Sequence, residues 1–354
     1  MRTPFLSVMF VVLVLLSTTL GSAALSIGNA GVVKGGLPRW FDYVVIILME
    51  NHGINQTYGS SCIGSNCAFF NDLANANGLA ENYDKGGVPG SLGDYIALTS
   101  GNGSVTCNSQ PQPGGCGPFN EANIVDRVEG AHLSWKAYME DYPPPCVPNT
   151  SGCSSGGCFT NFSPSLGNYV SIHNPFVYYQ NVLNNSSRCS KITPANAATL
   201  PQTACGPSLG QPGTVQTDNL FLNDLGSAST ASNYMFLSPN TIDDAHDCAD
   251  VSTANLYLKQ LVPQILNSTL FKTQRAALFV TYDEQDGWGA NRPELYTVWA
   301  SHAATYTKPT FKSIQHYTHF STLRTIEDNW GFLPFFDSTN DGTASNMGEF
   351  FPPF

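Results

Sequence analysis

Charge is scarce in this chain. Of its 354 residues only 12% are Asp, Glu, Lys or Arg, about half the share of an ordinary soluble domain. The basic side is the thinner one, with 15 Lys and Arg against 26 Asp and Glu and a formal net charge of −11. So sparse a basic complement offers no footprint for a phosphate backbone, which excludes nucleic acid as a partner. No Cys-x2-Cys pair occurs, which argues against a structural zinc knuckle, and no His-Glu-x-x-His occurs, which argues against a metalloprotease of that type. A serine-hydrolase elbow is also missing. Gly90-Ser91-Leu92-Gly93 comes near it, but position 89 is proline and no strand leads into it. Internal repeats and blocks of like charge are absent, and beyond the first two dozen residues no apolar run is long enough to cross a bilayer.

What is present points to a large core. Hydrophobic residues make up 42% of the chain, including 21 Phe, 15 Tyr and 5 Trp, far more burial capacity than a disordered segment carries. The length suits one large domain. Residues 1–24 read as an export signal: Arg2 supplies the positive start, an apolar run covers Phe5 to Leu16, and Gly21-Ser22-Ala23-Ala24 offers small residues for cleavage. The expected mature unit is a single domain over 25–354, extracellular and without stable membrane insertion. The ten cysteines (Cys62, Cys67, Cys107, Cys116, Cys146, Cys153, Cys158, Cys189, Cys205 and Cys248) form an even set, as disulfides in an oxidising compartment would, with the pairing left open. Seven Asn-x-Ser/Thr sequons, at Asn55, Asn102, Asn149, Asn161, Asn184, Asn185 and Asn267, match a secreted glycoprotein.

Two continuous apolar runs, Tyr43 to Met49 and Ala276 to Tyr282, have the character of strands buried on both faces of a parallel sheet. The first ends in Glu50-Asn51-His52 and the second in Asp283-Glu284. Shorter strands are expected at Tyr234 to Leu237 and Leu295 to Ala300, and helices at Asn255 to Ile265 and His319 to Asn329. From about Cys107 to Gly210 the chain is rich in Gly, Pro, Ser, Asn and Cys, which reads as long disulfide-pinned loops inserted in the domain. Polar groups recur where strands stop, and in open α/β sheets ligands bind at the carboxyl ends of strands. The clusters are Glu50-Asn51, Ser91 with Asp94, Asp243 to Asp247, and Asp283-Glu284, with His316 and His319 downstream. Oxygen and imidazole donors of this kind suit a divalent cation. Each alone has a plainer reading: Glu50 as a helix cap, Asp243 to Asp247 as an acidic turn before a helix, His319 as a structural histidine.

Taken together the motifs resemble a known family: the secreted phosphoesterases that include acid phosphatases and bacterial phospholipases C, within the alkaline phosphatase superfamily. The resemblance is carried by Ile47-Leu48-Met49-Glu50-Asn51-His52 with Tyr58-Gly59; Asp94 through Gly101; His173-Asn174-Pro175-Phe176; Ser238-Pro239-Asn240 with Asp244-x-His246-Asp247; Thr281-Tyr282-Asp283-Glu284; and His316 through Trp330. It runs in the family's order from about residue 43 to 332. It implies an α/β fold with a mostly parallel central sheet flanked by helices. It also implies a divalent metal held by Glu50, Asn51, Asp283 and Glu284, with Ser91 beside it as nucleophile. His246 and His319, with Asp247, would serve as ligands of a second metal or as the acid that protonates the leaving oxygen. Metal identity and number stay open.

Two positions depart from the family's pattern: Gly93 and Asp94 stand where members commonly carry Pro-Asn. A carboxylate there would repel phosphate unless protonated or metal-bound, which implies a working range at acidic pH. The expected activity is hydrolysis of phosphate monoesters through a phosphoserine. The alternatives are a phospholipase C that cleaves a phospholipid head group, and a secreted binding protein that keeps the fold without turnover. A sulfatase is set aside because no Cys/Ser-x-Pro-x-Arg occurs.

Overall fold

The computed structural model describes residues 39–60, 62, 67–109, 116–142, 168–196, 205, 213–216, 218–285, 294–302 and 307–352. The expected export signal, the sequons at Asn149 and Asn161, and Cys146, Cys153 and Cys158 lie outside them.

Ten strands are described: β1 (Tyr43–Met49), β2 (Gly78–Ala80), β3 (Tyr83–Asp84), β4 (Trp135–Met139), β5 (Ile192–Pro194), β6 (Tyr234–Ser238), β7 (Ala276–Tyr282), β8 (Thr297–Ala300), β9 (Lys312–Ser313) and β10 (Tyr317–Thr318). Eight form one sheet in the order β5-β4-β6-β1-β7-β8-β2-β9, and β10 pairs with β3 in a separate two-stranded ribbon. The five strands from β5 to β7 run parallel, while β8 is antiparallel to both β7 and β2. This is the mostly parallel α/β sheet expected, and its centre is where the two apolar runs lie. Every residue of β7, and all of β1 after Tyr43, is buried, at about 1.5–3 kcal/mol for each fully covered Val, Ile, Leu, Phe or Met side chain. Continuous hydrophobicity is what a strand covered on both faces requires.

Register fixes where these strands end. Met49 pairs with Tyr282 and Ile47 with Leu237, so Glu50, Asp283 and the residues after Ser238 leave the same carboxyl edge side by side. Two helices frame that edge. Gly90–Ser100 is buried from Ser91 through Ser100 and packs against the C-terminal helix His319–Trp330. The expected helix over Asn255 to Ile265 extends over Val251–Leu266, because Asp250 caps it by accepting from the amides of Ser252 and Thr253.

The stretch from Cys107 to Gly210 requires correction. It is not only inserted loop: it contributes β4 and β5 to the main sheet and the helix Ile124–Gly130. Lys136 interrupts the apolar character of β4 and β5 spans only three residues, so neither carries a run that periodicity can register. Disulfides are present as expected, at Cys62–Cys67, Cys107–Cys116 and Cys205–Cys248 among the described residues. The last closes a loop of sequence separation 43 and anchors the chain just after the Asp243 to Asp247 turn. Of the described sequons, Asn55, Asn184, Asn185 and Asn267 are exposed. No described helix is long and apolar enough to cross a membrane.

Candidate active site

Glu50 is the first residue beyond β1, and it caps nothing: the next helix begins at Ile54 with Gly53 in the capping position. Its carboxylate is buried among polar partners. Oε2 accepts from Ser91 Oγ at 3.2 Å, Oε1 accepts from the Tyr95 hydroxyl at 2.7 Å, and His173 Nε2 stands 3.3 Å from Oε1. Burial, then the charges of Asp283 and Asp244, push the Glu50 carboxyl well above its ordinary value. Ser91 lies in the first turn of the helix Gly90–Ser100, where backbone dipoles favour an incoming anion.

Asn51 turns the chain into the left-handed region, at φ 53°, which Asn tolerates better than most residues. The turn lets its amide donate to Asp283 Oδ1 at 2.9 Å and brings Nδ2 within 2.8 Å of His246 Nδ1. Asp283 is fully buried, its carboxyl raised to about 6 by burial and by Glu284. Glu284 pairs with Lys85, whose ammonium also lies 3.7 Å from Asp94 Oδ2. Across the site the turn Asp244-Ala245-His246-Asp247 is held by Asp244 Oδ1, which accepts from the amide of His246 at 2.9 Å. Ala245 adopts φ 96°, a costly conformation for a residue with a Cβ, and its carbonyl is bonded by His52 Nε2 at 2.9 Å. That contact gives His52 a structural role. Burial raises the Asp247 carboxyl, but the imidazoles of His246 and His173 outweigh it and hold Asp247 below its ordinary value.

The residues singled out from sequence therefore converge: Glu50, Asn51, Ser91, His246, Asp247, Asp283 and Glu284 share one contact network. His319 reaches it from behind. Its Nε2 is bonded to the backbone oxygen of Asp283 at 2.6 Å and its Nδ1 to the Tyr83 hydroxyl at 3.0 Å. Fully buried and lowered to about 4 by burial, it has no ring nitrogen left for a substrate. His316 stands apart, exposed and paired with Asp84 at 2.9 Å. Two contributors carried no assigned role in the sequence reading. His173, buried and lowered to about 4 by burial, stacks on Tyr95 at 5.6 Å between ring centres; its motif was visible but not its proximity to Glu50. Lys85 had no signal at all, being a lone lysine after a two-residue strand.

The donors fit a cation. Two groups bring ligand atoms within 4.8 Å of one another: Asp94, Asp283 and Glu284, and His173, Asp244 and Asp247. Asn51 Oδ1, Asp244 Oδ2, Asp283 Oδ2 and both oxygens of Asp94 are buried without a hydrogen-bond donor. Buried oxygens left this way are costly unless a cation or proton satisfies them.

Residues 221–333 match the family described as the Phosphoesterase family. Over 228 residues the chain is 26% identical to a probable acid phosphatase of Kluyveromyces lactis, covering 64% of this chain and 46% of that protein. Over 318 residues it is 28% identical to a phosphatidylinositol-3-phosphatase of Mycobacterium tuberculosis, covering 88% and 85%. The chain spans less than half the length of the fungal acid phosphatases it matches, between 40% and 46% for those of Kluyveromyces lactis, Aspergillus fumigatus and Penicillium chrysogenum. Among solved structures, a protein of the alkaline phosphatase superfamily from Vibrio parahaemolyticus superposes with a TM-score of 0.51 at 11% identity, over 86% of this chain and 70% of the other. That likeness establishes the fold.

Proposed function

We propose, from the match of residues 221–333 to the Phosphoesterase family and from a fold shared with a protein of the alkaline phosphatase superfamily, a secreted, metal-dependent hydrolase of phosphate monoesters that works through a phosphoserine at Ser91. The observation that carries this reading is the 3.2 Å hydrogen bond from Ser91 Oγ to Glu50 Oε2, at a helix N-terminus and beside carboxylates with unsatisfied oxygens. Both named groups of relatives, the acid phosphatases and the phosphatidylinositol-3-phosphatase, support a monoester over a diester. The disulfides suit an oxidising, extracytoplasmic setting.

Glu50, Asn51, Asp283 and Glu284 would hold the metal, with His173, Asp244 and Asp247 as a second donor group. A divalent cation there lowers the pKa of a neighbouring hydroxyl and neutralises phosphoryl oxygens. The chain's own residues supply the rest. Tyr95 orients Glu50 through Oε1, leaving Oε2 to take the Ser91 proton as Oγ bonds to phosphorus and the ester oxygen departs. Asp247 Oδ1, 3.3 Å from His246 Nδ1, would stabilise the imidazolium of His246, whose Nε2–H would pass its proton to the leaving oxygen and leave a neutral ring. Water then cleaves the phosphoserine and releases phosphate. His319 acts by fixing the backbone of Asp283 rather than by moving a proton.

The test is hydrolysis of p-nitrophenyl phosphate by the full chain. Turnover is expected to fall by about a thousandfold or more on Ser91→Ala and to be abolished by a chelator, with recovery on adding divalent metal. Ser91→Ala that retains wild-type turnover would sink the reading. A wild-type chain that binds phosphate without turnover would make it the binding protein instead.

A further inference from the structure

A nucleophile at Ser91 leaves Asp94 to be explained. Three residues further along the same helix, Asp94 shares the face of Ser91 and is fully buried. A negative charge at that point opposes the binding of an anionic phosphate. The structure brings an opposite charge from another element. Lys85 follows β3, and its ammonium pairs with Glu284 and lies 3.7 Å from Asp94 Oδ2, with the lysine side chain only 22% exposed. Among the described residues, no other Lys or Arg pairs with Asp94, Asp283 or Glu284.

Its backbone is fixed on both sides. Tyr83 and Asp84 are in register with Tyr317 and Thr318, and the amide of Gly86 donates to Asp84 Oδ1 at 2.6 Å. The cation is therefore delivered to a set place rather than swept over the surface. A lysine reaching in from a separate strand, against a carboxylate on the nucleophile's own helix face, forms a matched pair that neither residue explains alone.

We propose that Lys85 is a positioning residue for the phosphoryl group, its ammonium cancelling the charge of Asp94 so that an anionic phosphate can settle beside Ser91. The inference rests on the phosphomonoesterase reading. It predicts that Lys85 becomes dispensable once Asp94 carries no charge, which a merely structural ion pair does not predict.

The experiment compares wild type, Lys85→Met, Lys85→Arg, Asp94→Asn and the double variant Lys85→Met/Asp94→Asn. Two quantities are read: competitive inhibition of p-nitrophenyl phosphate hydrolysis by inorganic phosphate, and the rise in Tm that phosphate produces. Lys85→Met is expected to raise KM and the phosphate Ki by about tenfold, more than it lowers kcat, and to reduce the Tm response. Lys85→Arg keeps the charge and stays within about threefold of wild type, and adding Asp94→Asn to Lys85→Met returns Ki to within about threefold. Should Lys85→Met fold poorly, Asp94→Asn alone still decides, since it should bind phosphate at least as tightly as wild type. An unchanged Ki in Lys85→Met, or a double variant as weak as the single one, overturns the proposal. A wild-type chain that neither hydrolyses the ester nor responds to phosphate overturns the underlying reading instead.

Discussion

Gly93 shows how much one position can be constrained by its surroundings. It sits two residues after Ser91, and a Cβ built there would lie 2.8 Å from both the carbonyl oxygen of Val105 and Cγ1 of Val88. The loop passing beneath this helix thus comes too close for any side chain, which accounts for glycine where the resemblance leads one to expect proline. Gly93→Ala must push Val105 or the helix start aside, at an expected cost of about 1–3 kcal/mol. Urea denaturation would check it, and an unchanged midpoint would show that the loop yields freely. Because the displaced turn carries Ser91, turnover should fall with stability. Asn51 and Ala245 make the complementary point: both take positive φ, and both lie where side chains of the site are aimed.

At the scale of elements, the C-terminal helix His319–Trp330 links the site to a buried acid that the chemistry does not use. Glu327 is fully buried, with neither carboxylate oxygen reached by a donor. It faces Asp341, whose two oxygens accept from the amides of Phe336 and Asp337 at 2.8 Å each. Burial and then Asp341 raise the Glu327 carboxyl to about 10, with Arg127 and Arg324 only partly opposing them. The folded chain therefore keeps a proton that the unfolded chain releases above the ordinary value of 4.5. The unfolded state then binds fewer protons, so this group's stabilisation is complete below that value and declines as pH rises towards about 10. Glu327→Gln carries no titrating proton. Its urea midpoint should drop less than that of wild type between pH 5 and pH 9, and an equal drop in both chains would refute the assignment.

The molecule as a whole buries several of its acids together at the carboxyl edge of its sheet. Burial is the first cause raising Glu50, Asp244 and Asp283, with Asp283 reaching about 6. Without metal, each favours the folded state less as pH rises. His173 and His319, both lowered to about 4, act in the opposite sense, but only below their ordinary value of 6.5. Above that pH the carboxylates are unopposed, so the Tm of chelator-treated protein should fall between pH 6.5 and pH 8. A divalent cation favours ionised ligands, so added metal should raise Tm more at pH 8 than at pH 5. Calorimetry at the two pH values tests this; a metal effect independent of pH would mean that these carboxylates do not bind it.

From sequence alone the centre of the fold was already determined. Strands covered on both faces must be continuously apolar, and the acids that stop β1 and β7 could lie only at a sheet edge. That placed Glu50, Asn51, Asp283 and Glu284, and the resemblance placed Ser91. Tertiary structure decided what depends on strand order: that β4 and β5 extend the sheet, that His173 stands beside Glu50, that His319 is used up behind Asp283, and that Lys85 answers Asp94. The reason is physical. A strand's burial is recorded in its own residues, whereas contacts such as that between Lys85 and Glu284, 199 residues apart, exist only once the whole sheet has brought its edges together.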